Sequence, residues 1–83
     1  MTESGGDVRA LIEQIAKGLV DTPDAVFVDQ YEDAGETVIE LEVAESDLGK
    51  VIGRQGRVAR AMRALVTATG IRSHKRYALE IVE

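Results

Sequence analysis

The chain has 83 residues, of which 45% are hydrophobic and 30% charged, and this length and composition predict one globular domain with a single core. The absence of cysteine excludes disulfides, thiolate metal sites and thiol catalysis. No apolar run approaches the roughly 20 residues that span a bilayer, and the N-terminal residues do not resemble a signal peptide, so we expect a cytoplasmic protein.

The charged residues are segregated along the chain, whose net charge is −5. Residues 1–48 hold 13 acids and two bases, whereas residues 49–78 hold eight bases and no acid. A phosphate chain responds to the local field rather than to the net charge, so the basic block favours a nucleic-acid partner. The alternative is that the acidic and basic halves pair across the fold.

Residues 1–6 are small and polar, and we expect them to form a disordered lead-in to a domain over residues 7–83. Helical spacing of apolar residues then predicts a helix that ends near Val20, before Pro23. The residues of this apolar stripe, interpreted as core, are Val8, Leu11, Ile12, Ile15, Ala16 and Leu19.

Two β-rich segments follow, at residues 25–32 and 36–45, and the Asp-Ala-Gly between them predicts an antiparallel hairpin. In the second strand, Ile39 and Leu41 alternate with Glu40 and Glu42. This period of two predicts one buried face and one solvated face. We interpret the two glutamates as the solvated face and expect no metal site there.

The second half of the chain predicts two helices and a strand. Asp47 is expected to cap a short helix over residues 48–52, and a longer helix runs from Gly56 to a C-capping Gly70. A basic loop at residues 71–76 leads to a last strand at residues 77–82. The order of elements is therefore α-β-β-α-α-β.

The junction between the two helices carries the candidate binding motif, Gly53-Arg54-Gln55-Gly56. Two glycines spaced three apart allow positive φ and a close approach of another chain, and N–H groups at the start of a helix favour phosphate. An isolated Gly-x-x-Gly is also consistent with an ordinary turn between helices.

Further bases surround this motif. Lys50 precedes the motif, and Arg57 follows it directly, in the first turn of the longer helix. A cation at that position is unfavourable because it opposes the helix dipole, so a functional reason such as a bound anion is needed to explain Arg57. Arg60 and Arg63 continue on the side opposite to the apolar stripe, and either a solvated face or a phosphate-binding face explains them.

The sequence Val51-Ile52-Gly53-Arg54-Gln55-Gly56-Arg57, placed between two helices that strands flank, resembles the K-homology (KH) family of RNA-binding proteins. The element order resembles the type II arrangement, and the small size is similar to the stand-alone bacterial KhpA family. The resemblance implies an α+β fold, with a three-stranded mixed sheet and helices packed on one face. It also implies a clamp for about four nucleotides of single-stranded RNA.

The RNA-binding residues expected from the motif and from the basic loop are Lys50, Val51, Ile52, Gly53, Arg54, Gln55, Gly56, Arg57, Arg60, Arg72, Lys75 and Arg76. The resemblance places a hydrophobic groove beside the loop, with Val51, Ile52 and Val58 as one wall and Ile39 or Leu41 as the other. Each of these five side chains is equally consistent with plain core.

The resemblance further implies a small RNA chaperone or post-transcriptional regulator that acts as a homodimer, or with a larger KhpB-like partner. The homodimer surface is expected on the longer helix, around Ala64, Val66, Ala68 and Thr69, with burial of Val66 and Ala68 inside the monomer as the alternative. We expect no cofactor, no metal, no membrane and no small-molecule substrate.

Other functions fit the sequence less well. A DNA-binding helix-turn-helix also joins two helices by a glycine-containing turn, but residues 48–52 are short for its supporting helix. A protein-interaction module that uses the acidic hairpin is the other alternative. The single histidine, His74, has no carboxylate near it in sequence, and we expect no enzyme.

Overall fold

The computed structural model describes residues 4–83, with side chains from Val8 onward. Three helices and three strands make up the fold: α1 (Ser4–Leu19), β1 (Phe27–Asp33), β2 (Glu36–Glu42), α2 (Leu48–Ile52), α3 (Arg57–Arg72) and β3 (Tyr77–Ile81). The expected lead-in falls partly on residues 1–3, which lie outside the described residues, and residues 4–6 belong to α1. The predicted order and the α+β class are confirmed.

The three strands form one mixed sheet in the order β1-β2-β3. β1 and β2 are antiparallel, with Val28 opposite Leu41, and Ala34 and Gly35 adopt positive φ in the turn between them. β3 returns parallel to β2, with Leu79 beside Ile39, because the two intervening helices carry the chain back across the sheet.

The three helices pack on one face of this sheet and enclose the core. Apolar residues from every helix and strand meet there, and Ile12, Ile39, Leu41, Val51 and Val66 have no exposed surface. Helix α1 contributes the stripe that its 3.6-residue spacing predicts, whereas Leu11 and Leu19 lie at the edges of that stripe and are partly exposed.

The opposite face of the sheet, which we call the outer face, has no helix on it. Alternation along the strands and the register place eleven residues there: Phe27, Asp29, Tyr31 and Asp33 from β1, Glu36, Val38, Glu40 and Glu42 from β2, and Ala78, Glu80 and Val82 from β3 and the residue after it. Glu40 and Glu42 thus lie on the solvated side, as predicted.

Gly70 does not cap α3, and the prediction that it would is wrong. The helix continues to Arg72, and Gly70 is buried in its last turn. A Cβ on Gly70 would lie 2.7 Å from the carbonyl oxygen of Lys75 and 3.2 Å from the ring of Tyr77. A glycine is needed here because the chain reverses directly over the helix, not because the helix ends.

Replacing Gly70 with alanine should therefore destabilise the fold, because the backbone of the 73–76 loop would have to move. Gly18→Ala is the matched control, since a Cβ at Gly18 in the last turn of α1 meets nothing within 4 Å. Alanine at a free helical position gains about 0.5–1 kcal/mol. Thermal unfolding should show a lowered Tm for Gly70→Ala and an unchanged or raised Tm for Gly18→Ala. Equal effects would contradict the packing argument.

Candidate nucleic-acid interface

The loop between α2 and α3 has an unusual backbone. Gly53 has φ 80° and ψ 169°, Gln55 has φ 57°, and Gly56 has φ 74°. The first conformation is open only to glycine, and positive φ at a residue with a side chain is uncommon. The chain therefore makes a tight turn of which only Arg54 and Gln55 present long side chains.

Gly53 is also required by packing. A Cβ on Gly53 would lie 2.5 Å from Cγ2 of Val58 and 2.9 Å from the backbone nitrogen of Val58, so the loop rests directly on the start of α3. At Gly56 the space is wider, and a Cβ would lie 3.4 Å from the guanidinium of Arg60. The two glycines thus have different roles: Gly53 permits the close approach, and Gly56 permits the left-handed turn into α3.

The loop leaves backbone donors free at its tip. The N–H of Gly56 donates to the carbonyl oxygen of Gly53 at 3.0 Å, and the N–H of Arg57 donates to that of Arg54. Arg54 and Gln55 begin the single 3-10 turn over Arg54–Gly56, and the first N–H groups of such a turn have no acceptor within it. Backbone donors therefore lie between the glycines as well as at the first turn of α3, where the sequence suggested them.

Two arginines of α3 donate hydrogen bonds to Gln55 in the loop. Arg60 donates from Nη1 to the backbone carbonyl of Gln55 at 2.8 Å, and Arg57 donates from Nη2 to the Gln55 side-chain oxygen at 3.3 Å. Both guanidinium groups stay exposed and retain donors for an anion. Arg54 makes no ion pair or side-chain hydrogen bond within the described part of the chain, and its guanidinium extends from the loop into solvent.

Lys50 differs from the other bases of the block because it is paired. Its Nζ lies 3.4 Å from a carboxylate oxygen of Asp21 and 3.6 Å from one of Asp47. The hydrogen bond and charge of Asp21, followed by those of Asp47, raise the pKa of Lys50. Lys50 therefore ties the short helix α2 to the segment that follows α1, and its charge is largely offset.

Asp47 occupies the N-cap position of α2, as predicted, but its side chain makes no capping hydrogen bond to that helix. Its side chain is only 1% exposed and accepts backbone N–H groups from Asp21 at 3.2 Å and Thr22 at 3.0 Å instead of one from α2. Burial by itself raises the pKa of Asp47, but these donors and Lys50 outweigh it, so the pKa is lowered. The spacing of Asp47 and Lys50, three residues apart, was the one feature of the sequence that could have indicated this ion pair.

The other seven bases of residues 49–78 have no carboxylate partner among the side chains of residues 8–83. Among the residues with described side chains, ion pairs join Glu13 to Arg9 and Lys17, and Lys50 to Asp21 and Asp47. The unpaired bases are Arg54, Arg57, Arg60, Arg63, Arg72, Lys75 and Arg76. Mutual pairing of the acidic and basic halves therefore accounts for Lys50 alone.

The expected site residues fall into two groups, separated by the length of α3, which is about 22 Å at 1.5 Å per residue. The first group surrounds the loop. In the second, Lys75 and Arg76 line a cavity of about 380 Å³ with His74 and the hairpin turn, and His74 has a positive φ of 59°. Arg72 belongs to neither group, because it lines a groove between α1 and α3 beside Leu11.

The apolar residues beside the loop are mostly core. Val51, Ile39 and Leu41 have no exposed surface, so of the two alternatives for these three side chains the core alternative holds. Val51 supports the loop from beneath and cannot touch a ligand. Ile52 and Val58 are half-buried, and they present the apolar surface that adjoins the Gly-x-x-Gly turn.

Two helices joined by a Gly-x-x-Gly turn and packed on a three-stranded mixed sheet, in the order α-β-β-α-α-β, define a KH domain of type II. The sequence model of the family described as KhpA/KhpB, KH domain, matches residues 9–81. The chain belongs to this family, and the resemblance read from the motif is confirmed. Membership of a family of binding proteins agrees with the expectation that the chain is not an enzyme.

Curated relatives match over most of their length. The chain is 50% identical over 72 residues to RNA-binding protein KhpA of Caldanaerobacter subterraneus, covering 87% of this chain and 96% of the relative. It is 49% identical over 76 residues to RNA-binding protein KhpA of Aquifex aeolicus, covering 92% and 96%. RNA-binding protein KhpA of Borreliella burgdorferi is 45% identical over 83 residues, the full length of both chains.

A solved structure supports the fold. The chain superimposes on part of Aquifex aeolicus Era, crystallised with GDP and aluminium fluoride, with a TM-score of 0.57 and 19% identity. The match covers 89% of this chain and 29% of the Era chain. Within the described residues, no three histidines or acids are grouped as a metal site would need, and no helix has the length and apolarity of a membrane span.

The buried Asp47 carboxylate gives the stability a specific pH dependence. Because the pKa of Asp47 in the folded state lies below the ordinary value of an aspartate, about 3.8, its contribution to stability is present above that pH and is lost as the pH falls toward the folded pKa. Asp47→Asn should lower Tm at pH 7 by about 5–10 °C, since two backbone donors lose a charged acceptor.

The Tm values of the wild type and Asp47→Asn should then converge as the pH is lowered from about 4 to about 2. Asp24→Asn, which changes an exposed carboxylate in the same segment, is the control and should follow the wild type at every pH. A constant gap between the wild type and Asp47→Asn across this range would contradict the assigned role of the carboxylate.

Proposed function

We propose that this protein binds single-stranded RNA, with the loop Gly53–Gly56 clamping the sugar-phosphate backbone. The observation that carries the proposal is the tight turn Gly53–Gly56, whose first N–H groups have no acceptor within the turn, together with surrounding arginines that have no carboxylate partner among the described side chains. The names of the KhpA relatives, which describe RNA-binding proteins, support the same ligand.

The chemistry of the loop suits a phosphate in three ways. The N–H groups of Arg54 and Gln55 donate to phosphate oxygens, as successive N–H groups in a turn do at anion sites. Arg54 adds a charged donor that has no competing carboxylate. Arg57 and Arg60 hold Gln55 in its left-handed conformation and add positive potential behind it.

Bases are then expected to lie against the apolar surface beside the loop. Ile52 and Val58 offer partly exposed aliphatic surface there, and single-stranded RNA has bases free to contact it. Lys75 and Arg76, about the length of α3 away, supply a second positive group for the same strand. We leave Val51, Lys50 and Arg72 out of the direct contacts, because they are buried, paired or turned toward α1, respectively.

The other functions are less well supported. A helix-turn-helix needs a supporting helix, but α2 has only five residues, and strands flank the pair α2–α3 on both sides. A purely protein-binding module would not explain seven unpaired bases with free backbone donors among them. The dependence of binding affinity on salt concentration distinguishes these functions, because phosphate binding weakens steeply with added salt whereas binding at an apolar protein interface does not.

The double change Arg54→Asp with Gln55→Asp should abolish binding of a short single-stranded RNA while the fold is kept. Both side chains are exposed, and aspartate tolerates the left-handed conformation at position 55. The new carboxylates would repel the phosphates that the loop is proposed to hold. A gel shift measures binding, and circular dichroism measures folding.

The matched control is Lys17→Glu with Ser46→Glu, which makes the same change in net charge at exposed positions away from the loop. It should bind RNA with only a small loss of affinity. Similar losses in both double variants would mean that net charge governs binding, and wild-type binding by the folded loop variant would remove the clamp.

A single unit that holds about four nucleotides has little selectivity, so we propose that the protein acts as a homodimer or with a larger KhpB-like partner. The candidate surface is the exposed side of α3 near Ala64, Leu65, Ala68 and Thr69, and Leu11 of α1 lines a groove together with Thr69. Val66 is part of the monomer core and drops out of the expected surface. This surface lies away from the loop and leaves it open to RNA.

Light scattering at micromolar concentration tests the homodimer directly, against a chain mass of 9.0 kDa. We expect twice that mass for the wild type and a single-chain mass for Leu65→Glu. Val82→Glu, at an apolar residue that is exposed to a similar extent on the outer face of the sheet, is the control and should remain dimeric. A wild-type mass of one chain would leave the partnership with a KhpB-like protein as the working form.

The cellular role that follows is that of a small RNA chaperone or post-transcriptional regulator in the cytoplasm. Weak, sequence-tolerant contacts to the RNA backbone fit a protein that visits many transcripts and gains affinity by pairing.

A further inference from the structure

The outer face of the sheet combines apolar surface and negative charge in a way that RNA binding does not use. Phe27 is 61% exposed and Tyr31 42% exposed on this face. Six carboxylates surround them: Asp29, Asp33, Glu36, Glu40, Glu42 and Glu80. None of the six forms an ion pair among residues 8–83. The register places one base, Arg76, at the corner next to Glu36.

The carboxylates are arranged against the stability of the sheet. Asp29 lies directly opposite Glu40, which lies beside Glu80, so three like charges stand abreast across three strands. Asp33 likewise lies opposite Glu36. Like charges directly opposite one another destabilise a sheet. Such rows of like charge on an uncovered face lower the stability of the isolated domain, which indicates that they serve a role other than folding.

Between the charged rows the face is apolar. Tyr31 lies opposite Val38, which is buried although it is not part of the core cluster under the helices. Desolvation together with the charges of Glu80, Glu40 and Asp33 raises the pKa of the Tyr31 hydroxyl. The ring of Tyr31 therefore lies partly exposed among the carboxylates of this face.

The chemistry of this face restricts what can cover it. Nucleic acid and anionic lipid are repelled by the six carboxylates. The carboxylates do not converge on a metal site within the described residues. A neutral apolar partner would have to desolvate unpaired carboxylates without compensation, which is costly. Only a cationic partner can form ion pairs with these carboxylates when it binds.

Arginine fits this face better than lysine. A guanidinium forms two parallel hydrogen bonds with a carboxylate and stacks on an aromatic ring, whereas an ammonium does so less well. Phe27 and Tyr31 are exposed beside the carboxylates, so both interactions are available to one side chain. We propose that the outer face is a docking surface for an arginine-rich segment of a protein partner, on the side of the domain opposite to the helices.

The probe for this proposal is a labelled ten-residue peptide of alternating Arg and Ser, with a Lys-Ser peptide of equal charge for comparison. Binding to the full chain is measured by fluorescence anisotropy at low salt and without RNA, because the peptide itself binds RNA. Neutralising an opposed pair on the face, by Asp29→Asn with Glu40→Gln, should weaken binding of the Arg peptide about tenfold.

The matched control, Asp24→Asn with Glu45→Gln, makes the same chemical changes at exposed positions off the face and should alter binding less than about twofold. The wild type should prefer the Arg peptide to the Lys peptide, and Phe27→Ser should narrow that preference. Thermal unfolding should show a higher Tm for the face variant than for the control, since a repulsion has been removed.

Three results would overturn the proposal: equal loss of binding in both neutralised pairs, no binding of the Arg peptide by the wild type, or an equal affinity for the Arg and Lys peptides that Phe27→Ser leaves unchanged. A fourth concerns a second copy of the chain, whose basic block could cover the face. A wild-type mass above one chain that falls to one chain in the face variant would make that copy the occupant instead.

Discussion

The turn between α2 and α3 depends on the contact of Gly53 with the start of α3, since no side chain fits between its backbone and Val58. This contact lets a five-residue helix end and a sixteen-residue helix begin within four residues. Positive φ at Gln55 and Gly56 accompanies this contact, and Arg54 and Gln55 begin a short turn in which the first N–H groups have no acceptor. The feature that packs the two helices together is thus the feature that leaves donors free for a ligand.

The position of this turn is set by a second constraint, the buried carboxylate of Asp47. It binds the backbone that follows α1 and holds Lys50 by charge, so α2 is tied at its start while Val51 anchors it in the core. A short helix has little stability of its own. The orientation of the loop is therefore set by the polar contacts of Asp47 and by the buried side chain of Val51, rather than by the stability of α2 itself.

The chain segregates charge between two sides of one small domain. Unpaired bases surround the loop and follow α3, whereas unpaired carboxylates occupy the outer face of the sheet. Segregation of this kind costs pairing energy, although exposed pairs are worth little individually. It gives the domain two surfaces of opposite sign, which suits a protein that holds an RNA on one side and a cationic partner on the other.

Patterns within one element were readable from the sequence, and contacts between distant segments were not. The α1 stripe, the hairpin and the Gly-x-x-Gly junction follow from local periodicity and turn chemistry, and they identified the fold and the loop. Gly70 was misassigned as a cap, and Asp47 holds the N-cap position without capping through its side chain, although glycine and aspartate favour helix ends. Their actual partners, Lys75 and the backbone of Asp21 and Thr22, are set by the path of the whole chain.

An NMR titration of the protein with a short single-stranded RNA tests RNA binding by the loop directly, because it reports on every backbone amide at once. We expect the largest shifts on the amides of Arg54 and Gln55, with smaller shifts at Ile52 and Val58. Amides of β1, on the edge of the acidic sheet, should be unaffected. Largest shifts on α1 or on β1, with the loop amides unchanged, would contradict the central claim that this loop holds the RNA backbone.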